Sequence, residues 1–429
     1  MGGVVKRVLL GLCGALVVGG GVAGWWMVRD GGVAQPIRVG ILHSLTGVEA
    51  ACELPVVNAT LVAIDEINRR GGVLGRQIEV VSADGGSDDM QFARQAERLI
   101  AQERVVVVFG GGGASNRRTI KPVFEKHRHL LIYPANSEGL DASKHVVYMG
   151  TIPNQQVIPA VSWAFQRLGK RFFVVGSDYI YSRAVSAIVK DYVGILGGEM
   201  VGEHYFALGT KDVKGVVRKV VAAKPTVIIN TISGRTNKPF FAQLRAAGIS
   251  TERVPTLSFS LSEIELHQFG PENMSGDYAA WSYFQSLPSR PNQAFLSQLA
   301  RRQGRDGLVA NDSMESAYFG VLVWAQTVQK SGTADVATVR RAIHGQTFEA
   351  PHGIVHVDHH NNGTWEPARI GKIRQDGQFD VVWSSNSPVW PKPYPSSRTP
   401  KQWQAFLQNL HKQWHGRWHG PTAYEASKK

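Results

Sequence analysis

From Ile37 onward the chain alternates short apolar runs with longer stretches in which apolar residues recur every three or four positions. The short runs have strand length and the longer ones have helix period. Residues 37–45 (IRVGILHSL) predict a buried strand, and residues 54–72 a helix stopped by two glycines. Strands follow at 78–84, 105–110 and 129–134, separated by helices at 89–103 and 116–128. Strands that are apolar throughout, each followed by an amphipathic helix, belong to a parallel sheet covered on both faces.

The pattern restarts after residue 151. Helices are predicted at 158–169, 183–198, 212–225 and 239–248, and strands at 171–179, 199–206, 226–233 and 254–260. Residues 278–286 (YAAWSYFQS) predict a crossing strand, and helices at 291–304 and 313–332 return to the first half. Residues 353–383 carry Gly and Asn turn signals between apolar runs, as antiparallel strands do. The expected fold is α/β, with two Rossmann-like lobes joined by a multi-strand hinge and preceded by an N-terminal apolar helix. The expected division is 36–153 plus 284–355 for the first lobe and 154–283 plus 356–395 for the second. Two such lobes face each other across the carboxyl ends of their strands, where open α/β sheets bind ligands, and would close on a small molecule.

Composition changes this picture little. The chain has 429 residues, 43% apolar and 19% charged, which suits a large packed core. The net charge of +13 is spread along helices and a tail, without a dense Lys/Arg block or a nucleic-acid motif. It reads as solvated surface, so no nucleic-acid partner is expected. Of the two cysteines, Cys13 lies in the N-terminal segment and Cys52 in the body, so no internal disulfide framework is expected. The N-terminus decides the compartment. Lys6 and Arg7 precede an uncharged stretch over 8–28, with Trp25 and Trp26 near its end. That length spans a bilayer, and its flanks predict export of the rest of the chain. A membrane anchor over 8–28 and a cleaved leader both fit. The expected location is the periplasm or the exterior of the cell envelope.

The run GGGG at 110–113 raises the question of phosphate. A P-loop needs GxxxxGK[ST], and no GK[ST] follows. A dinucleotide fingerprint belongs in the first βα turn, which holds a single glycine, Gly47. No cofactor and no metal are expected. The remaining readings are a plain βα turn, or a loop whose backbone N–H groups meet a ligand together with Ser115 and Asn116 at a helix start.

Several stretches resemble the substrate-binding protein of the urea ABC transporter and the short-chain amide sensor of the amidase operon. These are VGILHSLTG (39–47), AIDEINRRGGVLGRQIE (63–79), KPVFEKHRHLLIYP (121–134), TIPNQQVIPAV (151–161), VVGSDYIYSR (174–183) and DSMESAYFGVLVWAQ (312–326). Both relatives share the type I periplasmic-binding fold of the branched-chain amino acid receptors, and the likeness runs from about Ile37 to Pro395. It implies a solute held between the lobes by Gly112, Gly113, Ala114, Ser115, Ala135, Asn136, Tyr179, Tyr181, Ser233 and Ser260. It also implies delivery to ABC permease subunits. The paired tyrosines would wall a small pocket, and a phenol hydrogen-bonds an amide.

The chain departs from those relatives in the loops expected to bind. An aromatic position is Gly112, a serine position is Ala114, and Asn136 and Ser137 replace a glutamine and a tyrosine. On this reading the glycines enlarge the pocket, toward a larger amide or an amino-acid-like solute. Asp178 is expected to cap the following helix, and Ser262 to cap another with Glu265. No catalytic constellation stands out, so binding without bond cleavage is expected. A membrane-anchored sensor that signals to a partner such as a histidine kinase is the alternative. The tail 396–429 is an amphipathic extension with Trp403, Phe406, Leu407, Leu410 and Trp414 at helical spacing, suited to docking on its own lobe or to a membrane surface. His411, His415 and His419 recur every fourth residue there, a spacing that on a helix would share one face and suit zinc or copper, but Gly416 weakens the helix and no carboxylate joins them, so docking is expected instead.

Overall fold

The computed structural model describes residues 35–304 and 308–426. The apolar segment 8–28, and the N-terminal helix expected there, lie outside the described residues. Two sheets organise the chain. The first holds β1 (Ile37–His43), β2 (Ile78–Asp84), β3 (Val108–Gly110), β4 (Leu131–Tyr133) and β5 (Val146–Tyr148), all parallel, in the order β2-β1-β3-β4-β5. Between them run α1 (Ala50–Arg69), α2 (Asp89–Glu97) and α3 (Ala114–Lys126).

The second sheet begins after α4 (Val157–Arg167). It holds β6 (Arg171–Ser177), β7 (Glu199–Phe206), β8 (Val227–Thr231), β9 (Thr256–Ser258) and β10 (Tyr278–Trp281) in parallel. Its helices are α5 (Ile180–Ile195), α6 (Lys214–Ala223), α7 (Asn237–Ala246) and α8 (Glu263–Phe269). The chain then returns to the first lobe through α9 (Arg290–Gln303), α10 (Asp312–Ser331) and α11 (Val336–Ala342), and makes the hairpin β11 (Thr347–Ala350) and β12 (Gly353–His356). Antiparallel β13 (Arg369–Ile373) and β14 (Phe379–Ser384) finish the second sheet, in the order β14-β13-β10-β9-β8-β6-β7.

The apolar patterns explain these placements. β1, β6 and β8 are buried almost end to end, as central parallel strands must be. Helix α10 buries most of its length against α1, with Trp324 edge-on to Phe109 of β3 at 5.7 Å. The chain crosses between the lobes three times, near 149–156, 282–289 and 357–368. Side chains tie these crossings together. Gln155 Nε2 donates to Thr364 O (2.7 Å) and Val389 O (2.8 Å), and Gln156 Nε2 donates to Ala280 O (2.6 Å). Asp312 Oδ1 accepts from the Ser282 and Tyr283 N–H groups.

After β14 the chain continues as α12 (Pro400–Gln413). Its apolar stripe does not face a membrane. Trp403, Leu407, Leu410 and the following Trp414 are buried in the apolar cluster formed with α4 and α5. Arg398 grips Asp191 of α5 through two bonds of 2.7 and 2.8 Å. The three histidines share no helical face. The helix ends at Gln413, His415 has φ +53°, and His411 stacks on Trp418 at 4.4 Å.

Candidate functional site

Every residue expected at the site follows the carboxyl end of a parallel strand. Gly112, Gly113, Ala114 and Ser115 follow β3, Ala135 and Asn136 follow β4, Tyr179 and Tyr181 follow β6, Ser233 follows β8, and Ser260 follows β9. The strand ends of β3 and β4 face the second lobe at close range. Ala114 is buried in the cluster that holds Ile180, Tyr181 and Ala184 of α5. Asn136 Nδ2 donates to the Tyr181 hydroxyl across the cleft at 2.8 Å. On another side Gln268 Nε2 of α8 donates to Ala51 O of α1 at 3.0 Å, and Asn311 Nδ2 donates to Ser262 Oγ. The lobes are thus in contact around the cleft.

The glycine loop has a structural cause that side-chain comparison does not show. Gly110, Gly111 and Gly112 all have positive φ, of +121°, +108° and +65°. A Cβ on Gly112 would lie 2.6 Å from both Phe92 Cζ and Asn116 Oδ1. A Cβ on Gly110 would meet Leu42 O and the His43 ring. The expectation that these glycines leave a larger pocket is therefore corrected: the backbone conformation and Phe92 take the space. Nor do Ser115 and Asn116 turn to the cleft. Ser115 Oγ donates to Asp89 Oδ2 (2.6 Å) and Asn116 Nδ2 to Asp89 Oδ1 (2.8 Å), while Asn116 Oδ1 accepts from Gly113 N–H.

The two tyrosines differ in what they leave free. The Tyr181 hydroxyl donates toward Phe259 O (3.1 Å) and accepts from Asn136. Its polar capacity is used within the protein. Tyr179, the N-cap of α5, is half-buried with its ring 6.1 Å from that of Tyr181. Burial pushes its phenol pKa up, and the charges of Glu49 and Glu138 push it further, against a hydrogen bond with Ser233. Among the described residues the buried Ser260 Oγ has no hydrogen-bond partner. Asp178 does not cap α5 and pairs with Arg183 at 2.7 Å instead. Ser262 and Glu265 do form the expected capping box on α8, with Ser262 N–H donating to Glu265 Oε2 at 2.9 Å.

A group of carboxylates was not singled out from the sequence. Glu49 precedes α1 at the end of the first βα turn, with Oε1 3.9 Å from the Cβ position of Gly113. Glu53 accepts from Ser44 N–H at 2.6 Å and lies 3.0 Å from His43 Nδ1. Asp89 starts α2. Burial, then the charges of Glu53 and Asp89, push the Glu49 carboxyl up to about 8. Burial also raises Asp89, against its bonds to Ser115 and Asn116 and the nearby His419. The signal for Glu49 was its place after the first strand, where open sheets bind. Arg117, buried between Glu138 and Asp141 at 2.6 Å each, with Arg118 on Glu138, uses the basic residues of this region internally. A cavity of about 200 Å³ opens nearby between α1 and α8, lined by Pro55, Asn58, Ile264 and His267, and it contains none of the expected residues.

A family model described as periplasmic binding protein domain matches residues 37–400. A leucine-, isoleucine-, valine-, threonine- and alanine-binding protein of Pseudomonas aeruginosa is 24% identical over 335 residues, which is 76% of this chain and 86% of that one. A limonene hydroxylase of Geobacillus stearothermophilus is 31% identical over 124 residues, 29% of this chain, and the match spans only 22% of its length. Among solved structures, a solute-binding protein of an ABC transporter from R. palustris in complex with 4-hydroxybenzoate aligns with a TM-score of 0.75 and 20% identity, over 83% of this chain and 98% of that one. A leucine binding protein from Thermotoga maritima aligns with a TM-score of 0.73 and 19% identity, over 81% and 98%. At these identities the structural likeness is one of fold.

Proposed function

The chain belongs to the periplasmic binding protein family, and from that premise we propose that it captures a small solute between its lobes, outside the cytoplasm, and presents it to the permease of an ABC transporter. The solute carries N–H donors, as an amide or an ammonium group. Urea, short amides and small amino acids are of this kind. The observation that carries this reading is Glu49 of the first lobe, set among Glu53 and Asp89 and acting on Tyr179 of the second. Carboxylates and a phenol accept and orient N–H groups, and the negative charge of the carboxylates disfavours an anionic benzoate. The Pseudomonas relative is named for binding leucine, isoleucine, valine, threonine and alanine, and the R. palustris neighbour was solved in complex with 4-hydroxybenzoate. Binding without turnover is the whole activity on this reading. Among the described residues no helix is long and apolar enough to cross a membrane.

Calorimetric titration of the full chain with urea, acetamide, L-alanine, L-leucine and 4-hydroxybenzoate tests it. Heat with an amide or amino acid and none with the benzoate is expected. Heat with the benzoate alone overturns the donor-rich solute.

A further inference from the structure

The segment after α12 runs along the edge of its own lobe that faces the first. Trp414 is anchored in the second lobe's core, and the next residues run as an extended strap beside Tyr179. Ile180 N–H donates to Trp418 O (2.9 Å) and Gly420 N–H donates to Asp178 O (2.8 Å), which pairs His419 with Tyr179 in antiparallel register. Ala423 N–H donates to Leu208 O at 2.9 Å, and Arg417 pairs with Glu425 at 2.7 Å. A Cβ on Gly420 would meet the Asp178 carboxylate and lie 3.2 Å from Trp414 Nε1, so a glycine at 420 lets the strap lie close on this edge without moving either side chain.

From there its side chains reach the first lobe. The Arg118 guanidinium lies over the Trp418 ring at 5.1 Å, and the same indole stacks with His411. His419, paired with Tyr179 in the strap, acts on Asp89 of the first lobe through its charge. Asp89 in turn holds Ser115 and Asn116 of the glycine loop. One short segment therefore touches both lobes beside Tyr179 and Glu49. It is also an addition to the fold: the family match stops at residue 400, and the R. palustris structure is covered to 98% by 83% of this chain.

We propose that residues 414–425 form an interlobe clasp that completes the wall of the solute site, with Trp418, seated on Arg118, as its contact to the first lobe. The clasp holds the lobes together before solute arrives, and solute passes in or out only when Trp418 leaves Arg118. What the cleft holds rests on the solute-binding reading above; the clasping does not.

The test measures the interlobe distance by spin-label pair spectroscopy on the full chain carrying A101C and V221C, both at exposed positions on opposite lobes, with C13S and C52S. Three chains are compared without added solute: the full length, a truncation after Gly416, and full-length W418A/H419A. The clasp predicts one short distance in the first and a longer, broader distribution in the other two. The double variant keeps α12 and the backbone bonds of the strap, so it decides the matter where truncation loosens the helix. Unchanged distances in W418A/H419A overturn the clasp, whatever the chain binds. Calorimetry of the same chains with urea, acetamide and L-alanine separates the two readings: opened lobes with no heat from any probe uphold the clasp and count against the solute.

Discussion

Glu315 of α10 lies 2.8 Å from His352 Nδ1, and both side chains are fully buried. On the other side of the ring Glu366 lies 2.6 Å from Nε2. The three come from a helix, a hairpin turn and the third crossing between the lobes, and Arg369 Nη2 donates to His352 O beside them. Burial alone lowers the imidazole pKa, but the charges of Glu315 and Glu366 outweigh it and set it at about 10. The folded chain therefore keeps a proton that the unfolded chain releases near pH 6.5. The stabilisation is complete below about pH 6.5 and is lost as pH rises through 10. Glu315, pushed by burial to about 7, adds a loss of its own as pH rises from its ordinary 4.5 toward 7. Thermal unfolding followed from pH 5 to 10 is expected to show a steadily falling midpoint. In H352Q the alkaline part of that fall flattens, and the variant is less stable at pH 7 by about 3–5 kcal/mol, as when one partner of a buried pair is removed.

Glu49 makes the affinity for a cationic solute pH-dependent. Its carboxyl, at about 8, is largely protonated at pH 6 and ionised at pH 9. An ammonium ligand prefers the ionised form, so its affinity is expected to rise between pH 6 and 8 and then level off. Urea, being neutral, follows a shallower curve. E49Q removes the titration and weakens the ammonium ligand about tenfold, the equivalent of ~1.4 kcal/mol. Calorimetry at four pH values checks both curves. A pH-independent affinity in the unsubstituted chain removes Glu49 from the site.

What could be read in the sequence was what local pattern determines. Central strands such as β1 and β6 are apolar along their length, and the Ser262–Glu265 box spans four residues. Both signals are complete within a short window. The losses came where distant parts of the chain decide. Asp178 is a nearer case: it reads as a helix cap, yet Arg183, one turn on, takes the carboxylate. The glycine run reads as missing side chains, yet its φ values and the approach of Phe92 are properties of the folded backbone. Glu49 carries no motif and gains its meaning from Glu53, one turn on in α1, and from Asp89, which pairing of β1 with β2 brings beside it. The tail reads as an amphipathic helix, and nothing in its period says that Trp418 meets an arginine three hundred residues earlier.

Gly112 offers a direct check on the loop. With φ +65°, any side chain strains the backbone by about 1–3 kcal/mol. Its Cβ would also press on Phe92 and on the Asn116 amide that ties the loop to Asp89. G112A is expected to lower the urea midpoint of unfolding, with the slope unchanged. An aromatic residue at 112 is expected to be worse than alanine. A variant as stable as the parent would mean that the loop is free to move and that the pocket is roomier than its backbone implies.

Trp403 decides whether the tail is part of the folded unit. Its indole is fully buried against α5, donates from Nε1 to Pro395 O at 3.0 Å, and carries Arg398 over its ring at 4.5 Å. Arg398 is itself held by Asp191, so the anchor links α12, the linker and α5. Truncating a buried tryptophan to alanine costs about 3–5 kcal/mol when the surrounding core unfolds with it. If α12 belongs to the second lobe's core, W403A shifts a single cooperative transition by that amount. If the helix merely rests on the surface, it detaches first and the main transition stays in place. Denaturant unfolding followed by far-UV circular dichroism distinguishes the two. The cluster joining Trp403, Leu407 and Trp414 to Val161, Ile188 and Tyr181 favours the single shift, because loss of the indole reaches the floor of the tyrosine pair.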